Sequence, residues 1–270
     1  MYDLNSISGC LNTKIIGQTV IQYDNLTSTY AKAKNICGTC PDGTVVLSEN
    51  QSKCTLRFGN RWICSEDKNI YMSIILKPSV NNLITSKFDL VGCSSVCEGI
   101  YEACGLECKI KWPNDIVVND RKLASINCEF IGKSSEPSGI IVSVCINANM
   151  EEEETEKIYE EIKKPATSIK LAAGEAVDRE ALIAGILNSM EKHYEEFLTK
   201  STVSNAVLFC IMKSALLNRR IKAAKRGKKT LRSLLVKTVD HDGCLVVTDE
   251  KGNEEILGSG ETIIIYEGNS

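Results

Sequence analysis

Lys111-Trp112-Pro113-Asn114-Asp115, followed a few residues later by Arg121-Lys122-Leu123-Ala124, is the stretch on which the reading of this chain turns. Ile110-Lys111-Trp112 and Asp115-Ile116-Val117-Val118 predict two strands, Asn119-Asp120 supplies a turn, and a further strand runs over about 122–131. Pro113 suits a strand break, because proline has no N–H to give to a ladder. Charged side chains are rare in apolar strands unless they are paired or hold a ligand. Lys111 and Lys122 therefore suggest an anion site, and Asn114 with Asp115 could offer oxygen ligands to a hard cation. A solvated hairpin face accounts for the same charges equally well on spacing alone.

The surrounding composition is that of a folded enzyme. The 270 residues are 43% hydrophobic and 25% charged, enough for one large core and a small satellite domain, which excludes a disordered chain or a stapled mini-domain. A net charge of −3 gives no overall field toward nucleic acid or membrane. The N-terminal residues Met1-Tyr2-Asp3-Leu4-Asn5 carry no basic segment followed by an apolar one, and no apolar run approaches the ~20 residues that span a bilayer. A cytoplasmic protein is expected. Thirteen cysteines, an odd number in so long a chain, read as free thiols in a reducing compartment. Cys37-Gly38-Thr39-Cys40 has the form of half a zinc site or a redox pair, with no second half at a recognised spacing. Cys93, Cys97, Cys104 and Cys108 follow helical spacing and pack as small hydrophobes. With only His193 and His241, a histidine triad or His-rich metal site is not expected.

Periodicity predicts a strand over 18–23, a helix capped by Thr27 or Ser28 to about residue 35, strands over 44–48 and 70–76, and a helix over 86–104. A strand over 139–147 follows a turn at 134–137. An acid-rich helix then covers 150–164, and Asp178 caps a helix whose core side carries Leu182, Ile183, Ile186, Leu187, Met190, Tyr194 and Phe197. This is an α+β plan in which strands pair as neighbours. From about residue 217 the pattern shifts to short strands divided by turns at 226–228, 240–243 and 249–253, spaced like those of a small barrel. The basic cluster Arg219, Arg220, Lys222, Lys225, Arg226, Lys228 and Lys229 lacks aromatic residues and reads as a solvated hairpin or a rim for an acidic partner, rather than a nucleic-acid surface.

The pair Lys111-Trp112-Pro113-Asn114-Asp115 and Arg121-Lys122-Leu123-Ala124 resembles the signature of biotin protein ligases. Further matches stand in order. Leu26-Thr27-Ser28-Thr29 with Ala31-Lys32 is similar to the segment opening that family's first catalytic helix, Gln51 with Arg57, Gly59 and Trp62 to its ligand loop, and Val144-Cys145-Ile146-Asn147-Ala148-Asn149 to the strand closing its site. The tail ending Gly258-Ser259-Gly260-Glu261 resembles its small C-terminal barrel. The resemblance implies a class II synthetase-like catalytic domain over 1–216, with a mixed or antiparallel sheet and helices, and an SH3-like β-barrel over 217–270. It also implies a two-step reaction: biotin and ATP give biotinyl-5′-AMP and pyrophosphate, and biotin then passes to a lysine of a carboxylase's biotin carboxyl carrier domain. The space before Thr27 is too short for a helix-turn-helix domain, so repressor activity is not expected.

By the same resemblance, Lys122 and Arg57 are the catalytic cations for carboxylate and phosphate oxygens. Lys111, Asn114, Asp115, Asn147, Arg57 and Trp62 fall on the ATP side, and Asn114, Asp115 and Asn147 are candidate Mg²⁺ ligands. Ser28, Thr29, Gln51, Cys54, Arg57, Lys122, Ser143 and Cys145 fall on the biotin side. The chain departs from the family mainly in the loop and ring pocket. Cys54-Thr55-Leu56-Arg57 stands for Gly-Arg-Gly-Arg, Asn60 for an arginine, Tyr30 for an asparagine, Ser125 for a glycine and Asn127 for an apolar residue, while Ser143 and Cys145 add volume where glycines are usual. The phosphate half is retained and the ring half altered. Three functions stay open: a biotin protein ligase, an acyl-adenylate ligase for another carboxylate such as lipoate, or a non-catalytic ligand-binding relative.

Overall fold

The computed structural model describes residues 1–55, 61–65, 67–78, 85–133, 136–162, 164–228 and 230–265. A short helix α1 (Leu4–Gly9) precedes β1 (Val20–Leu26), α2 (Thr29–Ile36), β2 (Thr44–Gln51), the two-residue strands β3 (Cys54–Thr55) and β4 (Arg61–Trp62), and β5 (Ile70–Leu76). Then come α3 (Thr85–Cys104), β6 (Lys109–Lys111), β7 (Asp115–Val118), β8 (Arg121–Lys133) and β9 (Glu136–Ile146). Helices α4 (Glu152–Ile162), α5 (Ile169–Ala173), α6 (Arg179–Lys200) and α7 (Ser204–Met212) lead to β10 (Arg220–Lys225), β11 (Arg232–Val239), β12 (Leu245–Thr248), β13 (Glu254–Leu257) and β14 (Thr262–Ile265).

The architecture is α+β. Seven strands form one mixed sheet in the order β1-β2-β5-β9-β8-β7-β6, antiparallel throughout except that β1 runs parallel to β2. Alternation along the strands divides their side chains. Leu47, Met72, Ile74, Ile126, Val142 and Val144 point to the face covered by α3 and α6, where they join the main core. The two helices approach closely: a Cβ on Gly99 would meet the Ile186 backbone nitrogen at 2.8 Å. All seven residues assigned to the core side of the 178-capped helix are buried, and the Asp178 carboxylate accepts the Ala181 N–H as its N-cap. The cysteine stripe behaves as small hydrophobes, with Cys93, Cys97 and Cys108 buried and burial pushing all three thiols up.

Among the described residues, two groups cover the opposite face of the sheet. Helix α2 packs Ala33 and Cys37 against Val46, Ile75 and Ile141 at one end. Trp62 packs against Tyr71 and Cys145 at the other. Between these covers lie the polar side chains described below.

The C-terminal strands form a separate antiparallel sheet in the order β13-β12-β11-β10-β14, with the expected turns at 226–228, 240–243 and 249–253. Its apolar side holds Ile221, Leu234, Val236, Leu245 and Val247, all buried. The 240–243 turn seats this unit on the rest of the fold. Trp112 Nε1 donates to Gly243 O at 2.9 Å, and Lys87 pairs with Asp242 at 3.0 Å. Gly243 has φ 82° and lies so close to Ser86 that a Cβ would meet its carbonyl oxygen at 2.7 Å, a position only glycine fills without strain. No helix among the described residues is long and apolar enough to cross a membrane.

Candidate active site

Strand pairing aligns one row of residues across the seven-stranded sheet: Tyr23, Ser48, Tyr71, Cys145, Ser125, Asp115 and Lys111. Two residues along each strand, on the same face, Ser73 pairs with Ser143 and Ser143 with Asn127. The register thus gathers residues from distant parts of the chain onto one surface, which ends on the Lys111–Lys122 hairpin. That hairpin turns at Asn119 and Asp120, with φ 50° and 60°, the left-handed pair that asparagine and aspartate tolerate and that a tight two-residue turn requires.

The charged end is an ion-paired cluster. Lys122 Nζ lies 2.7 Å from Asp115 Oδ1, and Ser125 Oγ donates to the same oxygen at 2.9 Å. The Lys122 ammonium also stands 5.6 Å from the centre of the Trp62 ring, within cation–π range. Lys111 faces Asp115 across the β6–β7 ladder. Burial pulls its ammonium below the ordinary lysine range, against the opposing pull of Asp115.

Asn147 follows the end of β9. Its N–H donates to Leu123 O at 3.0 Å and its Nδ2 to Thr167 O at 3.0 Å. Lys122 and Asn147 are tied together by 165–169, an extended segment that the sequence patterns did not single out. Lys122 N–H donates to Pro165 O, Thr167 N–H to Lys122 O and Ile169 N–H to Asn147 O, each at 2.9 Å. A segment without periodicity leaves no pattern to read, and only its backbone bonds reveal it.

The other end is neutral and closely bonded. Thr29 N–H donates to Gln51 Oε1 at 2.5 Å, Ser73 Oγ donates to Thr29 Oγ1 at 2.9 Å, and the Ser73 and Ser143 hydroxyls lie 2.9 Å apart. Ser73 was not among the expected site residues. Its strand reads as continuous core, and it is the register with Ser143 that brings it to this face. Ser28 serves as the N-cap of α2, accepting from Ala31 N–H at 3.4 Å. Tyr30, on α2, donates its hydroxyl to Glu129, which closes the helix onto β8.

Among the described residues, three buried polar atoms at this surface have no hydrogen-bond partner: Gln51 Nε2, Trp62 Nε1 and Asn147 Oδ1. Such atoms are costly unless something polar meets them. All three belong to residues expected at the site from sequence. Together they offer two N–H donors on the neutral and aromatic sides and an oxygen acceptor on the charged side.

Of the remaining expected residues, Arg57 and the side chain of Cys54 lie outside the described residues. Asn114 is buried beside Asp115, with its amide donating to Ile126 O and its own carbonyl accepting Ile126 N–H at 2.9 Å. Its amide nitrogen thus fixes the hairpin to β8. Cys145 is buried against Tyr71 and Trp62. The Cys37 thiol donates to Ser138 O at 3.4 Å inside an apolar cluster, and burial pushes it up, away from the thiolate that a metal requires. No group of three His, Cys, Asp or Glu side chains among the described residues is placed to hold a metal ion.

Comparison with known proteins finds similarity over the strands that carry this surface. Residues 20–149, from β1 to the turn after Asn147, match the model of the biotin/lipoate A/B protein ligase family. The bifunctional ligase/repressor BirA of Bacillus subtilis is 34% identical over 190 residues, which cover 70% of this chain and 58% of that protein. The biotin--[acetyl-CoA-carboxylase] ligase of Paracoccus denitrificans is 28% identical over 158 residues, covering 58% of this chain and 65% of its own length. The chain thus spans less than two thirds of these two relatives. In fold it is similar to the biotin protein ligase of Aquifex aeolicus, solved in complex with biotin and ATP, with a TM-score of 0.78 at 24% identity over 93% of this chain and all of the other. Over residues 20–149, the chain is thus similar to the biotin/lipoate A/B protein ligase family.

Proposed function

We propose that this protein is an ATP-dependent biotin protein ligase. One observation carries the reading: a lysine, Lys122, ion-paired with Asp115 and close to the Trp62 ring, is tied through 165–169 to the backbone and amide nitrogen of Asn147, whose Oδ1 has no partner among the described residues, on a sheet face that also carries the Thr29, Ser73 and Ser143 hydroxyls and the Gln51 amide. The name of the Paracoccus denitrificans relative, a biotin ligase of acetyl-CoA carboxylase, and the biotin and ATP bound to the Aquifex aeolicus enzyme support the same substrates.

The chemistry asks for these residue types. In the first step a carboxylate oxygen attacks the α-phosphorus of ATP and pyrophosphate leaves. Two anions must meet, so cations have to stand where charge accumulates. Lys122 and Arg57 serve the carboxylate and α-phosphate oxygens, and Lys111 supports the nucleotide side with Trp62. Binding exchanges the Lys122–Asp115 pair for a Lys122–phosphate contact, which leaves Asp115 facing the metal side. In the second step the amine of an acceptor lysine attacks the acyl carbon, AMP leaves, and an amide forms. The hydroxyls of Thr29, Ser73 and Ser143, the cap residue Ser28 and the amide of Gln51 would face the polar edge of the biotin ring, with Cys145 beside it, and the resemblance assigns Cys54 to the same side. A buried polar ring needs such partners.

Mg²⁺ fits the donors on the charged side, because the Asn147 carbonyl oxygen and the Asp115 carboxylate are hard ligands, with Asn114 adjacent. When bound, the ion would neutralise phosphate charge. We assign 1–216 to the catalytic domain and 217–270 to an SH3-like barrel built on the five-stranded sheet, with a carboxylase's biotin carboxyl carrier domain as the protein acceptor, in the cytoplasm. A second reading rests on the Ser73–Ser143 hydroxyl pair, whose side-chain volume fills the ring end of the pocket and favours a different carboxylate such as lipoate.

The test is transfer. Incubated with biotin, ATP, Mg²⁺ and an isolated biotin carboxyl carrier domain, the protein should label the carrier, as read by streptavidin binding and a mass increase of one biotin. A carrier that stays unlabelled while a lipoyl domain gains lipoate would move the assignment to the second reading.

A further inference from the structure

The residue just before β5 and the second residue of that strand carry a buried polar junction that the proposed chemistry does not use. Asn69 is completely buried. Its Nδ2 donates to the Tyr71 hydroxyl at 3.1 Å and its Oδ1 accepts Ala148 N–H at 3.2 Å. Its backbone oxygen accepts from the Tyr2 hydroxyl at 3.0 Å and from Arg179 Nη1 at 3.1 Å. Arg179 is in turn fixed by the buried carboxylate of Glu49 at 2.8 Å and stacks 4.6 Å from the Tyr2 ring. Asn69 cannot shift without breaking bonds to α6, the N-terminal segment and the turn after β9.

Tyr71 carries this fixity to the ligand side. Its hydroxyl accepts Ser65 N–H at 3.0 Å and donates to Ser65 O at 3.3 Å, gripping the segment just after Trp62 by both backbone groups. Its ring packs against Trp62 and Cys145. From the other side, Glu154 of α4 holds the same segment, accepting from Ser65 Oγ and pairing with Lys68 at 2.7 Å. Lys68 O accepts Asn149 N–H at 2.8 Å, which ties the strand start to the turn that carries Asn147.

We propose that Asn69 and Tyr71 are positioning residues that hold Trp62 and Asn147 at a fixed separation across the nucleotide side of the site. The inference rests on the ligase reading for its kinetic consequence, though not for the anchor itself. One asparagine side chain serves both walls, its oxygen on the Ala148 side and its nitrogen, through Tyr71, on the Trp62 side. Loosening it should affect nucleotide capture more than the ring pocket, whose hydroxyls bond to one another without it.

Tyr71→Phe tests this with the ring packing kept. Hydrogen exchange read at the Ser65 amide should accelerate by roughly tenfold, since one hydrogen bond of ordinary net strength is removed. In biotin-dependent AMP formation, KM for ATP should rise by roughly tenfold while kcat and KM for biotin stay within about twofold. Asn69→Asp, which keeps the acceptor for Ala148 and loses the donor to Tyr71, should move the same parameter in the same direction. Ile186→Val, in the helix core away from the site, supplies a destabilised comparison. Unchanged exchange at Ser65 would overturn the anchor. Faster exchange with an unaltered KM for ATP, or KM and kcat values that merely follow the loss of Tm as in Ile186→Val, would overturn the positioning role. Wild-type protein that forms no AMP would instead contradict the ligase reading, and Ser65 exchange would still decide the anchor.

Discussion

The two ends of the site are built by opposite means. At the charged end, the half-buried Lys122 stands 2.7 Å from the Asp115 carboxylate, a contact that a ligand's phosphates can take over, and Asn147 Oδ1 has no partner among the described residues. At the neutral end, Thr29, Ser73 and Ser143 satisfy one another through 2.9 Å hydrogen bonds, and Gln51 already accepts the start of α2. The first end is poised for exchange of partners, since a paired charge in partial contact with solvent costs little to re-pair. The second is pre-organised and selective, because a ligand must match bonds already made or leave polar groups unmet. On the proposed function, the charged end would set whether adenylation occurs, and the neutral end which acid is adenylated.

Removing the cation should have the largest effect. Lys122→Ala is expected to lower the rate of carboxylate-dependent AMP formation by about 10²–10³, the usual loss when a donor to developing charge is deleted, with folding preserved by circular dichroism. An equal rate in the variant would remove Lys122 from the chemistry. Next in size is Asp115→Asn, which keeps the shape and withdraws the partner of Lys122 and a candidate metal ligand. About a tenfold rise in the Mg²⁺ concentration for half-maximal rate is expected, and no change would exclude Asp115 from the metal side.

Lys111 gives a smaller, pH-dependent contrast. Burial lowers its pKa, so its ammonium is lost at a lower pH than that of a free lysine. Nucleotide affinity, followed by calorimetry, should fall as pH rises through that depressed value, and Lys111→Arg should flatten the fall because arginine stays charged. Stability should run the other way in the same window. Between the folded and ordinary values the unfolded chain holds the proton that the folded chain has released, so unfolding free energy rises with pH. A wild-type and Lys111→Arg pair with identical profiles would show that Lys111 does not meet the phosphates.

The smallest effect belongs to the neutral end. Ser143→Ala should cost about 1 kcal/mol of stability, leaving Ser73 still bonded to Thr29, with a change of no more than about fivefold in KM for the acid. A large change confined to one acid would mark Ser143 as the discriminating side chain.

Much of this was legible before any coordinates. The strand Ile70–Leu76, the turn at Asn119-Asp120 and the Asp178 cap follow from local patterns, and local patterns are what sequence carries best. The site residues came from the resemblance around Lys111 to Ala124. Features set by register or by backbone alone were not legible. The parallel pairing of β1 with β2, the entry of Ser73 into the pocket and the sealing of Lys122 by 165–169 depend on partners far along the chain, which periodicity does not report. Asn69 belongs to the same class. A lone buried asparagine leaves no motif, and its role becomes visible only when Tyr2, Tyr71, Ala148 and Arg179 are seen together around it.

The division between a charged end that drives adenylation and a neutral end that selects the acid is tested most directly by AMP formation from ATP and Mg²⁺ with biotin, lipoate and octanoate in parallel, in wild type and Lys122→Ala. Turnover is expected with biotin and not with the straight-chain acid, falling by about 10²–10³ in Lys122→Ala for whichever acid is used. Equal turnover with all three acids, or a variant that loses one acid and keeps another, would contradict the division of labour between the two ends.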